Sequence, residues 1–209
     1  MTELLETYDL KGKFLGVVER KKFYQEIKQE FKETGRITRK VKTIRALLLN
    51  SNGRIYLQKR SKFKDANAGK YDKTVGGHVM QDDSFELTLT RECAEELGFP
   101  ATIVSEKEFE KATKNTNLSI VAIFKKIDNI QNFESKRTIV NGTIIQPYIT
   151  NIYLGYYEGP LQFMDGESSG IEVFSLDELK QEIREHPDKF TEDLKFMVKK
   201  YEKYLKPIK

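Results

Sequence analysis

The spacing of apolar residues changes period several times along this chain, and each change marks an element. Residues 4–18 hold two short β-prone runs around Asp9-Leu10-Lys11-Gly12, which predicts a hairpin. Over 19–34 the period lengthens. Phe23, Ile27 and Phe31 recur at every fourth position among Lys, Glu and Gln, predicting a helix that Gly35 closes. Residues 37–49 are β-prone and run into Asn50-Ser51-Asn52-Gly53, whose Asn-Gly pair predicts a hairpin with the alternating strand 54–60. A basic loop, 61–70, leads to Tyr71-Asp72-Lys73-Thr74-Val75 and the twin glycines Gly76 and Gly77, and an amphipathic helix follows. Strands are expected over 101–111 and 120–126, and a hairpin joining 139–146 to 149–157; residues 127–138 carry no assignment. Asn115-Thr116-Asn117 and Asn141-Gly142 read as turns. A short strand is predicted over 170–174, and Ser175 caps a helix through Arg184 that His186-Pro187-Asp188 breaks. A last helix starts near Thr191 with Phe196 and Tyr201 inward. This mixture predicts an α/β (α+β) fold, a sheet sandwiched between helices. Residues 1–35 are too few to fold alone and are expected to pack as an extension on a main domain, 36–209, that includes the C-terminal helices.

The mid-chain helix carries the candidate chemistry. Glu92, Glu95 and Glu96 stand at i, i+3 and i+4, so they are neighbours on one helix surface. At about 100° per residue, with Glu92 at zero, Glu95 lies near about −60° and Glu96 near about +40°. Leu87, Cys93, Ala94 and Leu97, roughly 100° to 220° round, are expected to face the core. Like charges at this spacing repel, and the last turns of a helix favour cations, so a cation must offset the three acids. Mg²⁺ suits the role because it takes oxygen ligands and bridges carboxylates to substrate phosphates. At the other end of the helix Asp83, with Glu86 three residues on, is expected to cap it.

Composition narrows the setting. The net charge of +4, from 36 basic and 32 acidic residues spread along 209, describes a solvated surface and gives no concentrated stripe for nucleic acid. The one cysteine, Cys93, excludes an intrachain disulfide and falls on the apolar side of the helix, as a packed thiol. No run approaches the ~20 apolar residues of a membrane span, and the first residues lack the order of a signal peptide, so a cytoplasmic location is expected. A homodimer is compatible with the sequence.

Gly77, five residues, Asp83, seven residues, then Arg91-Glu92-Cys93-Ala94-Glu95-Glu96-Leu97-Gly98-Phe99 resembles the Nudix box, Gly-x5-Glu-x7-Arg-Glu-U-x-Glu-Glu-x-Gly-U with U apolar. One position departs: Asp83 stands where the box has Glu. The flanks, 54–61, Tyr71-Asp72, 76–79, 174–179 and 187–191, look like the isopentenyl-diphosphate-isomerase-like branch of that superfamily. The resemblance implies a mixed sheet between helices, Mg²⁺ or Mn²⁺, and hydrolysis of a diphosphate linkage in a nucleoside diphosphate derivative or related small organic pyrophosphate. By position it implies Glu95 and Glu96 as metal ligands with the Gly76 carbonyl, Glu92 as a further ligand or as the base that activates water, and Arg91 as the residue that steadies the carboxylates. Gly77, Asp83 and Gly98 shape the loop. Aspartate is one methylene short of the usual Glu, so Asp83 is expected to cap and to steady Arg91, and a catalytically weak nucleotide-binding module is the alternative reading. A true isomerase, the further alternative, would use a cysteine before the box and several histidines. Lys73-Thr74-Val75 has no cysteine and the chain has two histidines. His78 is expected to be structural and His186 to end a helix. Glu167 and Glu172 are candidates for an extra catalytic acid, Arg54, Lys59, Arg60 and Lys64 for phosphate contacts, and Tyr71, Tyr148, Tyr153 and Phe163 for base stacking. The substrate-binding residues are otherwise unassigned.

Overall fold

One strand organises the sheet. The run that follows the first helix becomes β3 (Arg39–Leu49), buried without a break from Thr43 to Leu49, so both of its faces must be covered. In the computed structural model, which describes residues 2–139, 142–162 and 168–208, one edge of β3 pairs in parallel with β9 (Gly142–Tyr156) from Val41 to Leu49. The other edge is divided among three antiparallel partners. β1 (Leu4–Asp9) takes Arg39–Val41, β6 (Val75–His78) takes Thr43–Ala46, and β4 (Ile55–Arg60) takes Leu48–Leu49. That division sets the glycines of β6 opposite the middle of the most buried strand.

Beyond these, β8 (Ala122–Ile139) runs antiparallel to β9, and β7 (Ala101–Ile103) pairs with β8. β10 (Ser168–Phe174) and β5 (Tyr71–Asp72) pair with β4, and β2 (Phe14–Glu19) pairs with β1. The main order is β10-β4-β3-β9-β8-β7, a mixed sheet. The helices are α1 (Arg20–Thr34), α2 (Phe85–Leu97), α3 (Glu106–Asn115), α4 (Leu176–Glu185) and α5 (Glu192–Tyr201).

Alternation along β3 feeds two cores. Ile44, Ala46 and Leu48 point to one face with Leu89, Cys93 and Leu97 of α2, while Leu47 and Leu49 meet Phe109 of α3 and Leu194, Met197 and Val198 of α5 on the other. A third cluster joins Phe23 and Ile27 of α1 to Leu5, Val41, Phe133 and Tyr148. The chain therefore has the α+β sandwich its pattern predicts. No helix among the described residues is long and apolar enough to cross a membrane.

Three expectations are corrected. Residues 101–111 are not one strand: β7 stops at Ile103, and Ser105 with Glu108 forms a capping box that starts α3, whose Phe109 and Thr113 are buried four residues apart. The hairpin is larger than the one predicted. β8 extends through 127–138 to pair with the whole of β9, interrupted by bulges at Lys126/Asp128 and Ile130/Phe133. That polar stretch hides its period because only Phe133 and Ser135 in it are fully buried. Asn141 of the predicted turn lies outside the described residues. Phe196 is half exposed, edge-on to Phe133 and Tyr201, while Tyr201 is buried.

Candidate active site

The acids are placed by α2 and the glycine strand beside it. Ser84, not Asp83, caps α2. Its side chain accepts from the Leu87 amide at 3.0 Å, and Gly98 ends the helix in the left-handed conformation at φ 75°. Asp83 reaches back to Arg91 instead, Oδ2 to Nη2 3.2 Å, and Arg91 lies 3.9 Å from Glu92. Asp83 Oδ2 and Arg91 Nη2 are buried without a hydrogen-bond partner, so the two charges attract but do not align, as expected of the shorter side chain.

The buried arc of α2 is also rotated from the one predicted. It comprises Thr88, Leu89, Cys93, Glu96 and Leu97, while Leu87 is 54% exposed and Ala94 is exposed. On the wheel that arc runs from about −40° to about +140°, so Glu92 at zero and Glu96 near about +40° lie inside it and Glu95 near about −60° on its flank. The acids therefore stand at the boundary of the core. Burial, aided by Glu95 and opposed by Arg91, pushes the Glu92 carboxyl up to about 7. Gly77 makes room for it: a Cβ there would sit 2.5 Å from Glu92 Cδ and 2.7 Å from Cγ.

Glu92, Glu95 and Glu96 line a cavity of about 870 Å³ together with Gly76 and Gly77, and much of its opposite wall comes from α1 and from β8 and β9. Cations ring it in pairs. Arg20 meets Glu3 at 2.5 Å, Lys28 meets Asp65 at 3.1 Å, and buried Arg45 meets Asp193 at 3.1 Å. Asp72 takes both Lys73 at 3.1 Å and Arg60 at 3.4 Å, and accepts from the Thr191 hydroxyl at 2.8 Å. Burial alone would raise the Asp72 carboxyl; Lys73, Arg60 and Thr191 outweigh it and hold it well below the usual range. His78 shares a 2.5 Å hydrogen bond with the Tyr24 hydroxyl, and burial and the charges of Arg20, Arg137, Arg45 and Lys73 keep its ring neutral.

The sequence model of the NUDIX domain family matches residues 39–194, well over half of the chain. The chain belongs to the Nudix family. It is 24% identical over 144 residues to an isopentenyl-diphosphate Delta-isomerase of Serratia proteamaculans (strain 568), covering 69% of this chain and 66% of the isomerase, just short of two thirds of that relative's length. A crystal structure from Deinococcus radiodurans superposes with TM-score 0.64 at 18% identity, over 95% of this chain and 98% of that one. A bifunctional NMN adenylyltransferase/ADP ribose pyrophosphatase from Francisella tularensis, complexed with AMP and a Mn ion, gives 0.52 at 15% identity over 88% of this chain and 47% of that one. These solved structures share the Nudix fold with it.

Within the Nudix box the structure brings Gly76, Gly77, Glu92, Glu95 and Glu96 to one cavity, sets Arg91 and Asp83 behind them, and leaves Gly98 at the far helix end. Among the described residues, the acids and histidine gathered within 4.8 Å are Glu182, Glu185 and exposed His186 on the surface of α4, not the box acids. Exposure alone gathers such groups, so the cavity-lining set is the better candidate for an ion that meets phosphate. Of the other candidates, Arg60, Lys64 and Tyr148 line the cavity. Arg54 pairs with Glu178 at 3.1 Å, and Lys59, Tyr71 and Glu172 line a separate cavity of about 430 Å³ in which Tyr71 donates to Glu172. Tyr153 is in the core, bonded to Glu86 at 3.1 Å; Phe163 and Glu167 lie outside the described residues. Cys93 is fully buried, and burial with Glu96 and Glu92 pushes its thiol well up. Sequence reading missed Arg20, Tyr24, Phe63 and Arg137. No local pattern flags them, although Phe63 between two lysines in the basic loop is an apolar residue with no strand or helix to bury it.

Proposed function

We propose that the protein hydrolyses a diphosphate linkage in a nucleoside diphosphate derivative or a related small organic pyrophosphate, with Mg²⁺ or Mn²⁺. One observation carries this reading: Glu92, Glu95 and Glu96 share the wall of a cavity whose other described lining residues include eight basic and five acidic side chains. The basic side chains attract phosphate, and an acidic corner among them suits a cation that phosphate brings along.

The donor set fits such an ion, because three carboxylates on adjacent turns offer hard oxygens beside the backbone of a glycine strand. Glu92, Glu95 and Glu96, with the Gly76 carbonyl, would hold it. When bound, the ion neutralises phosphate oxygens and lowers the pKa of water. Glu92, set in place by Gly77 and drawn by Arg91, takes the proton of the attacking water. Lys73 and Arg20 on the cavity wall offset charge on the phosphates. Phe63, 97% exposed at the cavity, offers an aromatic face to a base.

The isomerase reading draws on the Serratia relative. It fails here for want of groups: Cys93 is sealed in the core, and His78 is already bonded to Tyr24. A weak nucleotide-binding module is the second reading, favoured by the misaligned Asp83–Arg91 pair. Assaying nucleoside di- and triphosphates, sugar nucleotides and dinucleotides with Mg²⁺ and with Mn²⁺ separates them. Cleavage of any compound supports the hydrolase; tight binding without cleavage by either metal sinks it and leaves the module.

A further inference from the structure

We propose that Arg137, on the long β8–β9 arm, is an anion-binding residue that holds a phosphate of the substrate's diphosphate. The proposal rests on reading the cavity as a diphosphate site, and it identifies a residue that the box does not contain. Four arginines line the cavity, and three of them have a carboxylate partner: Arg20, Arg45 and Arg60. Arg137 has none within 4.0 Å among the described residues. Its Nη1 donates to two neutral oxygens, Gln146 Oε1 and the Tyr148 hydroxyl, both at a long 3.3 Å, and its guanidinium lies 5.7 Å from the centre of the Tyr24 ring. Asp193 acts on it only from beyond ion-pair distance, and Asp193 is already held by Arg45 and by Ser135 at 2.9 Å.

A half-buried cation without a counter-charge is unfavourable unless something supplies one. The planar fork of a guanidinium matches two oxygens of one phosphate. Its aromatic neighbours keep the fork in place before any ligand arrives, which lowers the ordering cost of binding. The position is also right. Arg137 meets Tyr148, the Tyr148 hydroxyl lies 3.2 Å from that of Tyr24, and Tyr24 bonds His78, the residue next to Gly77. Three side-chain contacts thus join Arg137 to the strand that seats Glu92, along the wall of one cavity.

The test is calorimetric titration of inorganic pyrophosphate and of ADP, with Mg²⁺, into the full chain and into Arg137→Gln and Arg137→Lys, with thermal denaturation of each. Expected is at least about tenfold weaker binding of both probes to Arg137→Gln, as for a lost charge-assisted pair, and partial recovery in Arg137→Lys. The ligand-free Tm of Arg137→Gln should be no lower than wild type, since the substitution removes an uncompensated charge. Pyrophosphate binding that is absent from wild type, or equal in wild type and Arg137→Gln, overturns the proposal, as does weakening of ADP alone, which would place the guanidinium on the base. A lower ligand-free Tm with unchanged affinity makes Arg137 structural and also overturns it. Arg137-dependent binding without any hydrolysis would instead sink the hydrolase reading and leave the anion site standing.

Discussion

The two ends of the cavity are built in opposite ways. The acidic end comes from a short continuous stretch, β6 through α2, so its geometry is the geometry of one strand and one helix. The other end is assembled from α1, the loop around Phe63, and the β8–β9 arm, which meet only because β3 gathers their supports. The acidic end concentrates one sign of charge at the edge of the core. Among the described residues, the assembled end pairs its arginines with carboxylates, Arg137 excepted. A site that must hold a small ion can be written locally; one that must fit a large substrate draws on the whole fold.

Breaking the acidic end should have the largest effect. Glu95→Gln or Glu96→Gln should cut turnover by about 100-fold or more and weaken Mg²⁺ binding, and Glu92→Gln should cost about 10² to 10⁴ in kcat. Each should keep its circular dichroism spectrum, because removing a repelling charge does not cost stability. Wild-type rates from these variants would refute the assignment. Gly77→Ala comes next. The new Cβ meets the Glu92 side chain, which must move, and a misplacement on the order of 1 Å costs about 10²-fold in rate. The same substitution should leave Tm nearly unchanged, since the obstruction is a side chain that can swing; a loss of Tm matching the loss of rate would mean the glycine serves packing.

The contrast also explains what the sequence makes legible. The acids, their glycines and Arg91 sit at fixed spacings within one strand-turn-helix, so periodicity and a pattern suffice to find them. Asp83 reads as the cap in sequence because Asp and Ser are equally good caps one residue apart; its reach to Arg91 leaves Ser84 to cap the helix. The apolar side of the helix is rotated from the expected one because Leu87 and Ala94 are apolar yet face solvent, while Glu96 lies inside the buried arc. Ser105-x-x-Glu108 was readable as a helix start, but the β-prone Ala101-Thr102-Ile103 before it drew the strand too far. Arg137 could not be read at all. Its role depends on no carboxylate among the described residues lying beside it, which only three-dimensional neighbours reveal.

Asp72 joins the two ends, and removing its charge tests whether they are held in register. Its side chain is 5% exposed between Arg60 and Lys73, and Thr191, the cap of α5, donates to it. Asp72→Asn should lower stability by about 2–3 kcal/mol, because two partly buried cations lose their shared partner. The folded carboxyl titrates below its unfolded value of about 3.9, so its contribution is fully present above about pH 4 and is lost as pH falls further. Chemical denaturation from pH 7 to pH 3 should show the wild-type advantage over Asp72→Asn shrinking only at the acid end; a constant difference would mean that the effect is not electrostatic.

Phe63 gives the smallest effect and the sharpest view of the assembled end. Its ring is 97% exposed, so it adds nothing to the core, and its loop is nonetheless pinned at both sides. The Asn67 amide donates to the Thr138 carbonyl at 2.8 Å, the Thr138 amide donates to Asn67 Oδ1 at 3.0 Å, and Asp65 meets Lys28 of α1 at 3.1 Å. A held loop that presents an aromatic face at the cavity suits a planar base. Phe63→Ala should therefore raise KM for a nucleoside diphosphate derivative by roughly fivefold, about 1 kcal/mol of stacking, with kcat and Tm unchanged, and Phe63→Trp should retain wild-type affinity. A diphosphate without a ring should not feel the change. Equal effects on both would mean that Phe63 shapes the loop, whereas no effect on either would remove the base from this end of the cavity and leave Arg137 to define it.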